Sequence, residues 1–192
     1  MFYKIVKPIA RAFCRIFFRV EINGEENFLR GPFMVCANHS SNWDPVMLLL
    51  FIKRKIHFLG KRELFKNPFL RYIVSSFGMI PIKRGQADMM AVKAAIKVLD
   101  SGDILGIFPS GRRNKKLEKG QAKSGAAMIG ARCGSKVVPL SIISSYKPFA
   151  KVKINIGKPI DLSEYKGKKL TSDELLEISD NIYDKIIELS KR

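Results

Sequence analysis

Phe33-Met34-Val35-Cys36-Ala37-Asn38-His39-Ser40-Ser41-Asn42-Trp43-Asp44-Pro45 decides how this chain folds and where its chemistry lies. The run from Phe33 to Ala37 is continuously apolar, as a strand buried on both faces of a parallel sheet is. Pro45 opens a second apolar run, through Ile52, that suits a helix. Between the two, His39 falls at the carboxyl end of a strand, with Asp44 five positions on in a tight loop. A neutral imidazole takes a proton near pH 7, and a carboxylate fixes its tautomer and stabilises the imidazolium that forms. No Ser or Cys lies in a nucleophile elbow, which leaves a substrate hydroxyl as the source of the proton. Asp44 also has a structural reason to exist: directly before Pro45 it suits a helix N-cap with Pro at N1, and the two roles are compatible. A lone histidine at a strand end is more often a structural hydrogen-bonding group.

Outward from this stretch, strands and helices alternate. Residues 56–59 suit a short strand, 68–77 a helix stopped at Gly78, and 79–83 another strand. Residues 87–99 form the clearest amphipathic helix, followed by a buried-type strand over 104–108. A small-residue helix over 122–132 precedes a strand over 137–143 that is interrupted by Pro139, and 151–156 alternates as an edge strand would. The last helix spans 172–190, with Thr171 or Ser172 as its cap. This order predicts an α/β fold: a single domain over 23–192 with a mixed, mostly parallel sheet flanked by helices.

Residues 1–22 are expected to form a separate N-terminal amphipathic helix. Lys4, Lys7, Arg11, Arg15 and Arg19 recur at spacings of three or four, beside a broad apolar face of Phe2, Ile5, Ile9, Phe13, Ile16, Phe17 and Val20. Such a helix suits the plane of a membrane interface, where each cation near an anionic leaflet contributes about 1 kcal/mol. The bland alternative packs the apolar face on the domain and solvates the basic one. Charges spread along the whole segment argue against a signal peptide, and no apolar run approaches the ~18–20 residues of a membrane span. A peripheral protein on the cytoplasmic face of the cell membrane is the expected setting.

The 192 residues carry 35 Lys and Arg against 17 Asp and Glu, a net charge of +18. A surplus of that size predicts an anionic partner. Nucleic acid is the generic choice, but no RNP, helix-turn-helix or interleaved aromatic–basic pattern supports it. Cys14, Cys36 and Cys133 show no CxxC spacing and the only histidines are His39 and His57, so neither a metal site nor a cofactor site is expected.

In open α/β sheets ligands gather outside the carboxyl ends of the strands. Those ends read Asn38-His39, then Lys61, then Lys83-Arg84-Gly85, then Pro109-Ser110-Gly111-Arg112-Arg113. One base and several cations on a shared rim suit a phosphorylated substrate, since Arg matches phosphate oxygens with a planar fork and Lys adds a point charge. Alternatively Arg112, Arg113, Lys115 and Lys116 form an exposed basic loop. Lys53-Arg54-Lys55 reads as a solvated patch or membrane contact, and His57, inside a strand, as structural.

Asn38-His39, four residues and Asp44-Pro45 match the NHxxxxD signature of the glycerolipid acyltransferase superfamily. The chain resembles its PlsC-type lysophosphatidate acyltransferases in particular. Lys61-x-Glu63-Leu64 with Ile80-Pro81-Ile82-Lys83-Arg84 looks like the family's second block, Ile107 to Arg113 its FPEGTR block, and Val137-Val138-Pro139-Leu140 its VPV block. The resemblance implies acyl transfer from acyl-CoA or acyl-ACP, as co-substrate, to the free hydroxyl of lysophosphatidate, making phosphatidate. By analogy His39 is the general base and Asp44 orients it. Arg84 and Arg113 match arginines assigned to the acceptor phosphate, Lys61 a lysine lining the site, and Gly111 the turn glycine. Lys83, Ser110 and Arg112 are further candidate acceptor contacts. The family's Glu in FPEGTR is Ser110 here and its Thr is Arg112, which keeps open another lysophospholipid or glycerol-3-phosphate as acceptor. It also keeps open an inactive protein that binds anionic lipid.

Overall fold

A computed structural model describes residues 2–82 and 89–192. The elements are α1 (Phe2–Phe17), β1 (Arg19–Asn23), β2 (Phe33–Ala37), α2 (Trp43–Phe51), β3 (Ile56–Lys61), α3 (Pro68–Ser76), β4 (Ile80–Ile82) and α4 (Met89–Asp100). They continue through β5 (Ile104–Ile107), α5 (Gly125–Cys133), β6 (Lys136–Ile143), β7 (Lys151–Ile156), β8 (Ile160–Asp161) and α6 (Ser172–Ser190). Among the described residues the strands form one eight-stranded sheet, ordered β1-β7-β6-β2-β5-β3-β4, with β8 on the outer part of β6. Only β6–β7 and β6–β8 run antiparallel. The expected mixed, mostly parallel α/β domain is what forms.

β2 lies at the centre, pairing with β5 on one side and β6 on the other, and all five of its residues are inaccessible to solvent. Its alternate side chains feed two cores. Phe33, Val35 and Ala37 face α1 and α2, while Met34 and Cys36 face α4, α5 and α6. That two-sided burial is why the run is apolar without alternation. α6 begins at a capping box in which Thr171 Oγ1 accepts from Glu174 N–H and Glu174 returns the bond to Thr171 N–H.

Four local expectations are corrected. The N-terminal helix does not reach residue 22: it stops at Phe17, and Arg19–Asn23 becomes a strand whose exposure alternates with period two. Basic spacing had continued the helical period to Arg19, but Val20 and Ile22 find an apolar partner in β7. Consequently β7 is interior and β1 holds the edge. β6 runs through Pro139, whose carbonyl accepts from Gly157 N–H at 2.8 Å. Arg54 is no solvated patch: its guanidinium donates to the carbonyls of Leu29, Gly31 and Gly102 beneath the amino ends of β2 and β5.

α1 packs on the core through Cys14, with Phe18 just past its end, and Lys7, Arg11 and Arg15 reach toward α2. Lys7 Nζ donates to Ile52 O at 2.7 Å, at the end of α2 where carbonyls lack helical partners. Burial, with Arg11 nearby, lowers the pKa of Lys7. Arg11 and Arg15 lie over the Phe51 ring at 5.4 and 5.9 Å. Ile5, Ile9, Phe13 and Ile16 are left in solvent, each more than half exposed. Among the described residues no helix is long and apolar enough to cross a membrane.

Candidate active site

The loop from Asn38 to Asn42 is built as one hydrogen-bonded unit. Asn38 carries on where the β2–β6 ladder stops: its amide donates to Ile142 O at 2.8 Å and accepts from Ile142 N–H at 2.7 Å. This pair fixes the direction in which the chain leaves the sheet. Next, His39 O accepts from Asn114 N–H at 2.8 Å, tying the loop to the segment after β5.

Asp44 is wholly buried, and both of its oxygens are hydrogen-bonded. Its Oδ2 accepts from the main-chain N–H groups of Ser40 and Ser41 at 2.6 and 2.7 Å and lies 3.0 Å from His39 Nδ1. Its Oδ1 accepts from the Tyr146 hydroxyl at 2.6 Å. The helix starts at Trp43, two residues earlier than a cap at Asp44 requires, so Asp44 sits in the first turn and reaches back to the loop. Pro45 falls in that same turn, where its missing N–H costs nothing. A carboxylate can only accept, so Nδ1 carries the imidazole proton and Nε2 is left with a lone pair.

The face of the ring is fixed by packing. His39 stacks on Phe108 with centroids 4.2 Å apart, and Phe108 stacks on Phe58 at 5.2 Å. Gly106 makes this row possible, because a Cβ there would come within 2.4 Å of the Phe58 ring. His39 is 8% exposed, enough to leave an edge for a substrate.

Sheet register sets the cationic rim. Val35, Gly106 and Phe58 lie side by side across β2, β5 and β3, so His39, Ser110 and Lys61 emerge at about the same height. Lys61 is exposed two strands from His39, roughly 10 Å away by strand spacing. Arg113 Nη1 donates to Asn42 Oδ1 at 3.0 Å, which brings its guanidinium onto the His39 loop. Gly111 has φ +64 in the turn closed by its N–H to Phe108 O, a conformation that L side chains rarely adopt, and Lys123 packs against it. Arg112 is exposed. Ser110 is turned inward, 1% exposed, with its hydroxyl donating to Arg112 O at 2.7 Å, so it braces the turn. Lys83 and Arg84 lie outside the described residues.

A cavity of about 490 Å³ opens beside the loop, lined by Ser40, Ser41, Asn114, Lys115 and Tyr146 among others. His57, by contrast, is structural: its Nδ1 lies 3.1 Å from Gly78 O, and burial lowers its pKa. Cys36 is inert, its thiol pushed up to about 12 by burial.

Sequence reasoning missed Tyr146, Phe108 and the clamp made by Asn38. The rule that ligands gather at carboxyl ends of strands pointed at β2, β3, β4 and β5; applied to β6 it would have reached Ser144-Ser145-Tyr146.

A buried His–Asp pair thus stands just beyond the carboxyl end of the central strand, and residues 19–143 match the family model described as Acyltransferase. The chain belongs to that family. It is 32% identical over 151 residues to the 1-acyl-sn-glycerol-3-phosphate acyltransferase of Streptococcus pneumoniae, covering 75% of this chain and 54% of that protein. It is 30% identical over 153 residues to the Bacillus subtilis protein of the same name, covering 76% of each. The crystal structure of the 1-acyl-sn-glycerophosphate acyltransferase PlsC from Thermotoga maritima superposes with a TM-score of 0.75 at 27% identity. That match covers 99% of this chain and 80% of the Thermotoga chain. The chain thus spans little more than half the length of the Streptococcus relative, and 38% of the chloroplastic Arabidopsis thaliana protein LPAT1.

Proposed function

We propose that this protein transfers a fatty acyl group from a thioester donor, acyl-ACP or acyl-CoA, to the free hydroxyl of lysophosphatidate, giving phosphatidate. The observation that carries this is the imidazole of His39, held by Asp44 at 3.0 Å through Nδ1 and presenting Nε2 at the edge of the site. His39 Nε2 takes the proton of the acceptor hydroxyl as its oxygen attacks the thioester carbonyl carbon. The C–S bond then breaks, and the imidazolium returns the proton to the leaving thiolate, so the base is regenerated. Asp44 stabilises the imidazolium in between.

Arg113, Lys61 and Gly111 are the described residues that would receive the acceptor phosphate, joined by Arg84, with Lys83 as a further acceptor contact. Arg112 adds a cation on the same turn. The names borne by the relatives support lysophosphatidate as the acceptor. An inward Ser110 leaves recognition of the head group to the cations around it.

The acceptor is a lipid, and a membrane contact through α1 suits its delivery on the cytoplasmic face. Support comes from the exposed row of Ile5, Ile9, Phe13 and Ile16, which suits the boundary between head groups and acyl chains. Anionic head groups would be drawn by the net charge of +18.

The test is direct. Purified protein is given lysophosphatidate with acyl-CoA or acyl-ACP, and His39→Ala is run beside it. Phosphatidate should form with the wild type and fall by about 10²–10⁴-fold in the variant. Equal turnover in both would remove His39 from the mechanism, and no turnover with any lysophospholipid would overturn the function.

A further inference from the structure

The two oxygens of Asp44 stand in different company. Oδ2 serves His39 and two main-chain N–H groups, whereas Oδ1 receives a single donor, the Tyr146 hydroxyl at 2.6 Å. Tyr146 lies more than a hundred residues away in sequence, on the segment after β6. Its backbone has φ +52, a left-handed conformation that bulky residues rarely adopt. Such strain persists only where the surroundings over-determine it. Here Tyr146 N–H donates to Ser144 Oγ at 3.0 Å and the Phe18 ring meets Tyr146 edge-on at 6.1 Å. The far end of the segment is tied to the end of α1, where Phe149 N–H donates to Phe17 O. Burial and the neighbouring carboxylate both raise the pKa of the phenol, which keeps it a donor.

We propose that Tyr146 is a positioning residue that sets the proton affinity of His39 by holding the second oxygen of Asp44. A strong donor on Oδ1 disperses the carboxylate's negative charge and stops the group rotating. The imidazolium on Oδ2 is then attracted less strongly, which favours the neutral ring that can act as a base. Other charged groups approach this cluster from the segment after β5, where Arg113 is held by Asn42 and Lys115 lines the adjoining cavity. From α1, Arg11 and Arg15 are spent on Phe51 at the far end of α2. The kinetic consequence rests on the acyl-transfer function above; the effect on His39 itself does not.

His39 and His57 are the only histidines, so an NMR pH titration of the imidazoles resolves both in the substrate-free protein. In Tyr146→Phe the His39 titration should move up by on the order of one pH unit while that of His57 stays put. Replacing Tyr146 by 3-fluorotyrosine keeps the ring and strengthens the donor, so His39 should move down. With substrate present, the acidic limb of the kcat profile in Tyr146→Phe should move up with the titration, a loss approaching about tenfold on that limb and vanishing on the plateau, with KM for the acceptor unchanged. An unmoved His39 in both proteins, or a shift in the same direction in both, overturns the proposal. Should Tyr146→Phe fail to fold, the fluorotyrosine protein alone decides by the sign of its shift. The two opposite shifts in the variants beside a wild type without turnover uphold Tyr146 and overturn the acyl-transfer function instead.

Discussion

In the loop between β2 and α2, four donors converge on the two oxygens of one buried carboxylate, whereas along α1 three cations turn toward α2 and leave isoleucines and phenylalanines in solvent. Both regions contain charged and apolar residues in close succession, and in both a charged group, of opposite sign, turns inward. Within the loop the reason is local. Ser40 and Ser41 follow His39 directly, and their N–H groups cannot be left unpaired beside a buried strand end. Asp44 is the nearest acceptor, and it is satisfied only if the loop closes on it. On α1 the reason is distant: free carbonyls at the end of α2 and the face of Phe51 are the best partners that a lysine and two arginines can find. The apolar side chains lose that contest and keep the outer face. A charge is thus placed by the unpaired groups within its reach, and its own sequence shows those groups only when they are close.

The sharpest way to break this contrast is to remove the charge from the loop without removing its hydrogen bonds. In Asp44→Asn the amide oxygen can still accept from Ser40, Ser41 and His39 while the new N–H₂ faces Tyr146, whose hydroxyl can turn to accept. The fold should survive with little change in melting temperature. Turnover should nevertheless drop by about 10²–10⁴-fold, because the imidazolium loses its counter-charge. Near-normal kcat in a folded Asp44→Asn protein would reduce the loop to a structural cap.

A second test inverts the outer face of α1. Ile9→Glu with Phe13→Glu places two carboxylates where two apolar groups now face solvent, far from the His39 loop in sequence. Binding to vesicles with anionic head groups should weaken by about 30-fold, taking roughly 1 kcal/mol for each partly inserted side chain. Solution stability should hold, since neither residue is part of the core. Sedimentation with vesicles reads the outcome. Undiminished binding would deny α1 the membrane role and leave its exposed face unexplained.

The same contrast explains what was legible beforehand. Strand 33–37, the helices near 45–52, 68–77 and 172–190, and the rim of His39, Lys61, Gly111 and Arg113 could be placed because their determinants are apolar runs, Pro and Gly punctuation, and strand ends. Arg19–Asn23 was misplaced because a basic residue every three or four positions carried the helical period past its end, and only the presence of β7 alongside favours extension. Tyr146 was invisible for a related reason. No spacing links it to Asp44; they meet because β6 lies next to β2, which is a property of the sheet order. Ser110 shows a second local effect. Its position on the rim suggested an acceptor contact, whereas a short hydroxyl finds a nearer carbonyl at Arg112 and bends inward.

The smallest effect tells most about α1, because the two accounts of its cations predict different readouts. If Arg11 and Arg15 hold the helix to α2, then Arg11→Gln with Arg15→Gln removes two cation–π contacts worth about 0.5–1 kcal/mol each at an exposed site. The melting temperature should fall by a few degrees, at about 2–4 °C per kcal/mol for a chain of this size. Association with anionic vesicles should change less than about threefold, and adding salt should affect variant and wild type alike. Had the basic stripe been the surface that meets lipid, each arginine would contribute about 1 kcal/mol to binding, and the double variant would bind about 30-fold less at low salt. That difference would vanish at high salt as the charges are screened. A stable variant with a large, salt-sensitive loss of binding would therefore return α1 to an electrostatic anchor. A less stable variant that still binds would establish the inward cations as the pins that present its apolar face.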